Sequence, residues 1–127
     1  MERRNPYRFR RSNRLTDSVA FSRVFEKARR SRDRYFTVLC RPAEADQARL
    51  GLAISKKHCR KASGRNRLKR IVRESFRHHK EALKGLDIVV MNQPAAAETG
   101  NRELFRSLET HWRRCRAPAQ DKKAHKN

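Results

Sequence analysis

The residues best suited to chemistry lie in the stretch GRNRLKRIVRESFR, residues 64–77, where arginines and a lysine surround one asparagine. A guanidinium can fork onto two phosphate oxygens and stack on a base. The amide of Asn66 could read a base edge or a 2′-hydroxyl, and helix capping is an equally good interpretation of it. Like charges this close together repel one another unless something negative lies against them. The stretch therefore predicts a surface that binds a polyanion.

The same stretch carries an apolar seam, so its charges must be sorted around a helix. At 100° per residue one arc collects the mostly apolar set Leu68, Ile71, Val72, Ser75 and Phe76. The opposite arc collects the polar set Asn66, Lys69, Arg70, Arg73 and Arg77. We expect the first arc to face a sheet and the second to form a basic ridge.

A run of charge on a helix is usually only a solvated face. Solvated faces normally mix signs, because opposite charges at i,i+4 stabilise a helix. Between residues 56 and 86 the only acids are Glu74 and Glu81. We therefore favour contact with nucleic acid over plain solvation.

Other reactive side chains do not form a recognisable catalytic set. His78 and His79 are adjacent, so on a helix they point about 100° apart and cannot readily flank one phosphate. His111 and Cys115 have the i,i+4 spacing of half a zinc site, but no second pair completes it. The acids are too dispersed for a metal-dependent nuclease. We expect no catalytic residue and no metal site in the polypeptide itself.

Hydrophobic spacing and turn residues predict the elements that position these groups. In chain order they are a helix over about 16–28, a charged connector over 29–34, strands over 34–41 and 49–55, the central helix over 64–80, a strand over 86–91, a loop, and a last helix with Asn101 as its N-cap. The short link between the first two strands suggests an antiparallel hairpin. The order α-β-β-α-β-α predicts an α+β fold with a small mixed sheet and packed helices.

The length of 127 residues fits one domain, which we place at 15–116. A basic and flexible arm would precede it over 1–14, and a polar, disordered tail would follow over 117–127. The chain holds 34 Lys and Arg against 13 Asp and Glu, a net charge of +21. Nucleic acid is the first partner that this excess suggests, and an anionic membrane surface is the second.

The sequence also bears on location. No apolar run is long enough to span a bilayer, and no apolar segment follows the basic start as in a secretory signal. The three cysteines, Cys40, Cys59 and Cys115, are an odd and scattered set, which argues against a disulfide framework and fits reduced thiols. We expect a cytoplasmic protein.

The segments RLGLAISKK and GRNRLKRIVRESFR together resemble the signature of the bacterial ribonuclease P protein family. The mark of that family is an Arg-Asn-Arg core, here Arg65-Asn66-Arg67. LKGLDIVVMNQP and LETHWRRC are similar to the family as well, so the resemblance runs from about Asn13 to Cys115. It implies a left-handed βαβ crossover around the central helix, where general rules favour a right-handed one.

The resemblance implies an endonuclease made of RNA and protein that removes the 5′ leader of precursor tRNA. The catalytic centre would belong to a large RNA that holds Mg²⁺, and the partners would be that RNA and precursor tRNA, with no membrane and no protein partner required. The leader would contact Phe21, Phe25 and Leu39, although the spacing of the two phenylalanines equally suits a core. The residues facing the catalytic RNA would be Lys56, Lys57, Arg60, Lys61, Arg65, Asn66, Arg67, Lys69, Arg70 and Arg73.

Two other functions fit part of the sequence. A ribosomal or other structural RNA-binding protein would explain the charge but not the central motif. A protein-only nuclease would need catalytic residues that the sequence does not group together. The first of these is the stronger alternative.

Overall fold

The computed structural model describes residues 28–43 and 46–116. Its elements are β1 (Arg29–Arg32), β2 (Phe36–Pro42), β3 (Arg49–Ala53), helix α1 (Ala62–His79), β4 (Leu86–Asn92), a 3₁₀ helix (Pro94–Glu98) and helix α2 (Asn101–Arg116). The predicted α+β class is confirmed. The helix predicted over 16–28, the basic arm and the polar tail lie outside the described residues.

The four strands form one sheet in the order β1-β2-β4-β3. β2 pairs antiparallel with β1 and with β4, while β3 pairs parallel with β4. The antiparallel hairpin predicted between the strands over 34–41 and 49–55 is therefore wrong. These strands are β2 and β3, and β4 lies between them. β4 contains the run Ile88–Val90, which is fully buried, so this strand takes an interior position with a partner on each side.

The charged connector predicted over 29–34 is also wrong, because its first four residues form the edge strand β1. Ser31 is buried while Arg30 and Arg32 are exposed, which is the alternation of a strand with one face covered. The inward residue is polar, so no hydrophobic period marks the strand in the sequence. Charged side chains are typical of an edge strand, since they discourage pairing with another chain.

Helix α1 connects the parallel neighbours β3 and β4, so these three elements form a βαβ unit. Arg49 of β3 and Asp87 of β4 reinforce the pairing through two hydrogen bonds of 2.8 Å. The left-handed sense that the family resemblance implies for this crossover stays a prediction.

Both helices pack on the same face of the sheet and share one core. Phe76 of α1 and Trp112 of α2 meet edge to face, with ring centroids 6.1 Å apart. Trp112 Nε1 donates a hydrogen bond of 2.9 Å to Ser75 Oγ, so the indole N–H keeps a partner inside the core. Neither helix, within the part of the chain that the structure describes, is long and apolar enough to cross a bilayer.

The prediction of three reduced thiols is wrong for two of them. Cys40 of β2 and Cys115 of α2 are paired as a disulfide, with Sγ atoms 2.50 Å apart and Cα atoms 6.1 Å apart. They lie 75 residues apart in the chain, so only the folded sheet and helix bring them together. Cys59 is a free, buried thiol.

Candidate nucleic-acid interface

Helix α1 sorts its side chains as its sequence predicts. The whole apolar arc is buried against the sheet and α2: Leu68, Ile71, Val72, Ser75 and Phe76. On the opposite side Asn66 and Arg70 are exposed, and Lys69 and Arg73 are partly exposed. We call these four outward residues the α1 ridge. Arg77, the next basic residue along that side, instead pairs with Glu74 at 2.7 Å.

Two arginines of the Arg-Asn-Arg core make contacts within the chain. Arg65 Nη1 donates to the carbonyl oxygens of Cys59 at 3.0 Å and Arg60 at 2.8 Å. Arg67 donates through Nε to Asn101 Oδ1 at 3.0 Å and through Nη2 to the Thr99 carbonyl. We call these two arginines the α1 anchor, because they fix the start of the helix to the loop before it and to the start of α2.

The anchor also changes the interpretation of Asn101. The predicted N-cap role is wrong, because Asn101 is the first residue inside α2 and the Leu104 N–H donates to the carbonyl of Gly100. The Asn101 side-chain oxygen instead accepts from Arg67. The assignment of Arg65 and Arg67 as direct RNA contacts stays a prediction, to which the structure adds a positioning role for both.

The basic loop between β3 and α1 is held by one buried asparagine, Asn92, at the end of β4. Asn92 Oδ1 accepts from the Ser55 N–H at 2.7 Å, and Asn92 Nδ2 donates to the Ser55 carbonyl at 3.3 Å. The Asn92 carbonyl lies 3.0 Å from His58 Nδ1. With its backbone fixed in this way, the loop presents four exposed cations: Lys56, Lys57, Arg60 and Lys61.

A glycine lets this loop close onto the helix. A Cβ atom at Gly64 would lie 2.9 Å from Cys59 Sγ, closer than real Cβ contacts allow. The absence of a side chain therefore permits the loop and the first turn of α1 to touch. Helix α1 has no acid in that first turn, so nothing there offsets its positive end.

The other face of the sheet carries a smaller apolar cluster. Leu39 of β2 pairs with Val89 of β4, and both are buried, at 3% and 0% exposure. Ala28, Ala53 and Met91 pack around them. Leu39 thus lies on the face opposite the helices, and its contact with a leader stays a prediction. Phe21 and Phe25, the other residues proposed for the leader, lie outside the described residues.

A polar cluster, buried except for the partly exposed Asp33, fixes α2 to β1 and the turn that follows it, and we call it the α2 anchor. Its members are Ser31, Asp33, Ser107 and His111. Asp33 Oδ1 accepts the backbone N–H groups of Tyr35 and Phe36, each at 2.9 Å, and Asp33 Oδ2 accepts Ser107 Oγ at 2.5 Å. Neither Asp33 nor Ser107 was predicted to matter, since they are 74 residues apart in sequence.

His111 completes this anchor. Its Nδ1 lies 2.7 Å from Ser31 Oγ, within hydrogen-bond distance, and Ser31 Oγ also accepts from Arg114 Nη1 at 3.1 Å. Nε2 is 3.2 Å from Asp33 Oδ2 but too poorly aligned for a hydrogen bond. The pKa of His111 is lowered by desolvation, which outweighs the attraction of Asp33. The pKa of Asp33 is also lowered: burial opposes this, but the hydrogen bonds from Ser107 and two backbone N–H groups prevail.

The order serine, histidine, aspartate is that of a nucleophilic triad, yet this one is closed to substrate. Ser31 is 4% exposed and His111 is fully buried. The half zinc site considered for His111 and Cys115 does not form, because His111 belongs to the α2 anchor and Cys115 belongs to the disulfide. In the described ranges no three His, Cys, Asp or Glu residues are grouped so that they could hold a metal ion.

Comparison with known proteins agrees with this arrangement. The family model described as Ribonuclease P matches residues 9–116. A protein of Methylococcus capsulatus named ribonuclease P protein component is 49% identical, over 91% of this chain and 95% of that protein. The protein of the same name from Thioalkalivibrio sulfidiphilus is 47% identical, over 87% of this chain and 92% of that protein.

Solved structures extend the similarity to the fold. The RNase P protein of Thermotoga maritima superposes with a TM-score of 0.71 at 34% identity, covering 80% of this chain and 96% of that one. That of Staphylococcus aureus gives 0.72 at 32% identity, covering 77% and 90%. The range that the family model matches, residues 9–116, includes the whole sheet, both anchors and the α1 ridge. This chain therefore belongs to the ribonuclease P protein family.

Proposed function

We propose that this chain is the protein component of a cytoplasmic ribonuclease P particle and takes part in maturing the 5′ ends of tRNA. The observation that carries the proposal is the α1 ridge beside the ordered basic loop: a rigid, single-sign surface in a family whose named members are ribonuclease P protein components. Arg70 and Arg73 have no ion-pair partner among the described residues, so both are available to phosphate.

The α1 ridge and the loop bind the catalytic RNA in this proposal. The anchor residues Arg65 and Arg67 support that contact by holding the two surfaces at a fixed angle. Because guanidiniums stay charged at every physiological pH, the support does not depend on protonation. The alternative function is that of a ribosomal or other structural RNA-binding protein. No observation on this structure favours that function over a role in tRNA processing.

Precursor tRNA is the second proposed partner. Its single-stranded leader would pass along the sheet face that carries Leu39, opposite the helices, and meet Phe21 and Phe25. Leu39 is buried, so it supports the floor of such a path through apolar contact. A product without a leader loses this contact, which gives preference for substrate over product.

Bond cleavage is assigned to the RNA. The described residues do not fit a protein-held Mg²⁺ site, since their carboxylates are not grouped. His78 contacts Glu74 at 3.1 Å and His79 Nδ1 lies 2.8 Å from the Ser75 carbonyl, so the adjacent pair is used within its own helix. Mg²⁺ would be held by the RNA and the substrate.

Reconstitution tests this function. The full chain is added to a bacterial ribonuclease P RNA at low Mg²⁺, and cleavage of precursor tRNA is measured together with the affinity of the particle for precursor and mature tRNA. We expect the protein to stimulate cleavage, to tighten binding of the precursor more than of the mature tRNA, and to be inert without RNA. Robust cleavage by protein alone would identify a protein-only nuclease. Equal effects on both tRNAs without stimulation would identify a structural RNA-binding protein.

A further inference from the structure

Helix α2 carries a second row of arginines on its solvent side. Arg102, Arg106, Arg113 and Arg116 are all exposed, and at 100° per residue they fall within about 80° of one another. We call these four residues the α2 ridge. It lies opposite the buried side of the helix, centred on Leu108 and His111, and extends about 21 Å along the axis at 1.5 Å per residue. One acid, Glu109, shares this side.

The α2 ridge runs beside the α1 ridge. Arg67 contacts Asn101 at the start of α2, and Ser75, two turns further along α1, contacts Trp112 near the end of α2. The two helices therefore run in the same direction, with axes separated by about 8–10 Å as is usual for packed helices. Since both pack on one sheet face, their solvent sides both point away from the sheet, and the two ridges lie side by side.

Helix electrostatics account for only part of the α2 ridge. Cations near a helix C-terminus are favoured by the macrodipole, which explains Arg113 and Arg116. Arg102 is in the first turn, where the macrodipole disfavours a cation, and Arg106 follows it at the repulsive i,i+4 spacing.

No ion pair among the described residues offsets these two charges, although Glu103 and Glu109 lie on the same helix. Neither Arg102 nor Arg106 has an ion pair there, and Glu109 forms none with Arg106 or Arg113. A partner outside the chain would offset them.

The chemistry of the surface favours duplex RNA over a single strand. Binding of single strands uses exposed aromatic rings on which bases stack. The aromatic residues of the two helices face inward: Phe76 and Trp112 are buried, and Phe105 packs against the core. Duplex RNA is recognised mainly by shape and through its phosphates and 2′-hydroxyls, which two rows of guanidiniums can contact.

We propose that the α1 and α2 ridges together grip one double-stranded segment of RNA by its phosphate backbones. The inference rests on the proposed RNA-binding function and adds α2 as a second, separate contact. Arg102 and Arg106 are the residues that distinguish this arrangement from binding by α1 alone.

Binding of the full chain to an RNA duplex of about 16 base pairs, titrated over a range of salt concentrations, tests the proposal. Arg102→Gln and Arg106→Gln are made singly and together. Each single change should lower the log–log salt slope by about one unit or less, and the double change by up to about two. Glu109→Gln should strengthen binding, because it removes the one negative charge from the ridge.

Two control variants separate this proposal from the function on which it rests. Lys84→Gln also removes one exposed positive charge, but in the turn between α1 and β4, where Lys84 lies 3.4 Å from Glu81. Arg70→Gln removes a charge from the α1 ridge. If Arg70→Gln lowers the slope while the α2 variants match Lys84→Gln, the α2 contact is refuted and the proposed function stands. If the α2 variants and Arg70→Gln all match Lys84→Gln, the α2 contact and the RNA-binding function on which it rests are both refuted.

A single strand of equal length is measured alongside, and the double variant should weaken its binding less than that of the duplex. An equal or larger loss on the single strand would overturn the assignment to duplex RNA. Thermal melting of the Arg70, Arg102, Arg106 and Glu109 variants should match the unaltered protein, because these side chains are exposed and form no ion pair among the described residues.

Discussion

The α1 anchor and the α2 anchor hold neighbouring helices on one sheet with opposite chemistry. The α1 anchor uses guanidiniums that donate to oxygen atoms and remain charged at any working pH. The α2 anchor uses a carboxylate and an imidazole, both of which titrate. From this difference we expect the attachment of α1 to be insensitive to acid and that of α2 to weaken as the pH falls.

Asp33→Ala should produce the largest effect of this comparison. The change removes three hydrogen bonds, to Tyr35 N–H, Phe36 N–H and Ser107 Oγ, and leaves those donors without their partner. At about 1 kcal/mol for each bond, we expect a loss of about 3 kcal/mol in the free energy of unfolding, measured by urea denaturation. Glu98→Ala is a matched control, because Glu98 is an exposed acid outside both anchors. A loss no greater than that of the control would show that the α2 anchor does not hold the helix.

Arg67→Ala should have the second largest effect. It removes the donors to Asn101 Oδ1 and the Thr99 carbonyl, so we expect a loss of about 2 kcal/mol in the free energy of unfolding, equal at pH 7 and pH 5. Arg70→Ala is the control on the same helix, with an expected change within about 0.5 kcal/mol because Arg70 is exposed. Equal stability losses for the two variants would erase the distinction between anchor and ridge.

These two predictions also mark what the sequence reveals. The buried and exposed sides of α1 follow from local spacing, because a helix places residues i, i+3 and i+4 together whatever surrounds it. The α+β class follows from the order of such elements. The family motif points to Arg65 and Arg67, but only the fold shows that their guanidiniums reach Cys59, Thr99 and their neighbours.

Features that depend on distant partners were missed or wrong. β1 has a buried serine where a strand usually has an apolar residue, and that serine makes sense only beside His111, 80 residues away. The expected hairpin failed because the more apolar β4 takes the place beside β2. Pairing of Cys40 with Cys115 depends on the same sheet and helix, so scattered spacing could not reveal it.

Acidification should give the smallest effect and test the α2 anchor alone. The folded-state pKa of His111 is lowered from 6.5 by desolvation, although Asp33 opposes the shift and Arg114 adds to it. The unfolded chain therefore binds a proton before the folded one does, so this contribution to stability is complete above pH 6.5 and declines as pH falls below it. Asp33, whose pKa is lowered from 3.8, keeps its contribution to stability until the pH falls below that value.

Urea denaturation from pH 7.5 to 5 should show this decline in stability in the unaltered protein and a weaker decline in His111→Gln, which removes the titrating group. If the two proteins lose stability in parallel, His111 is not the source of the decline, and the contrast between an acid-sensitive and an acid-insensitive anchor is lost.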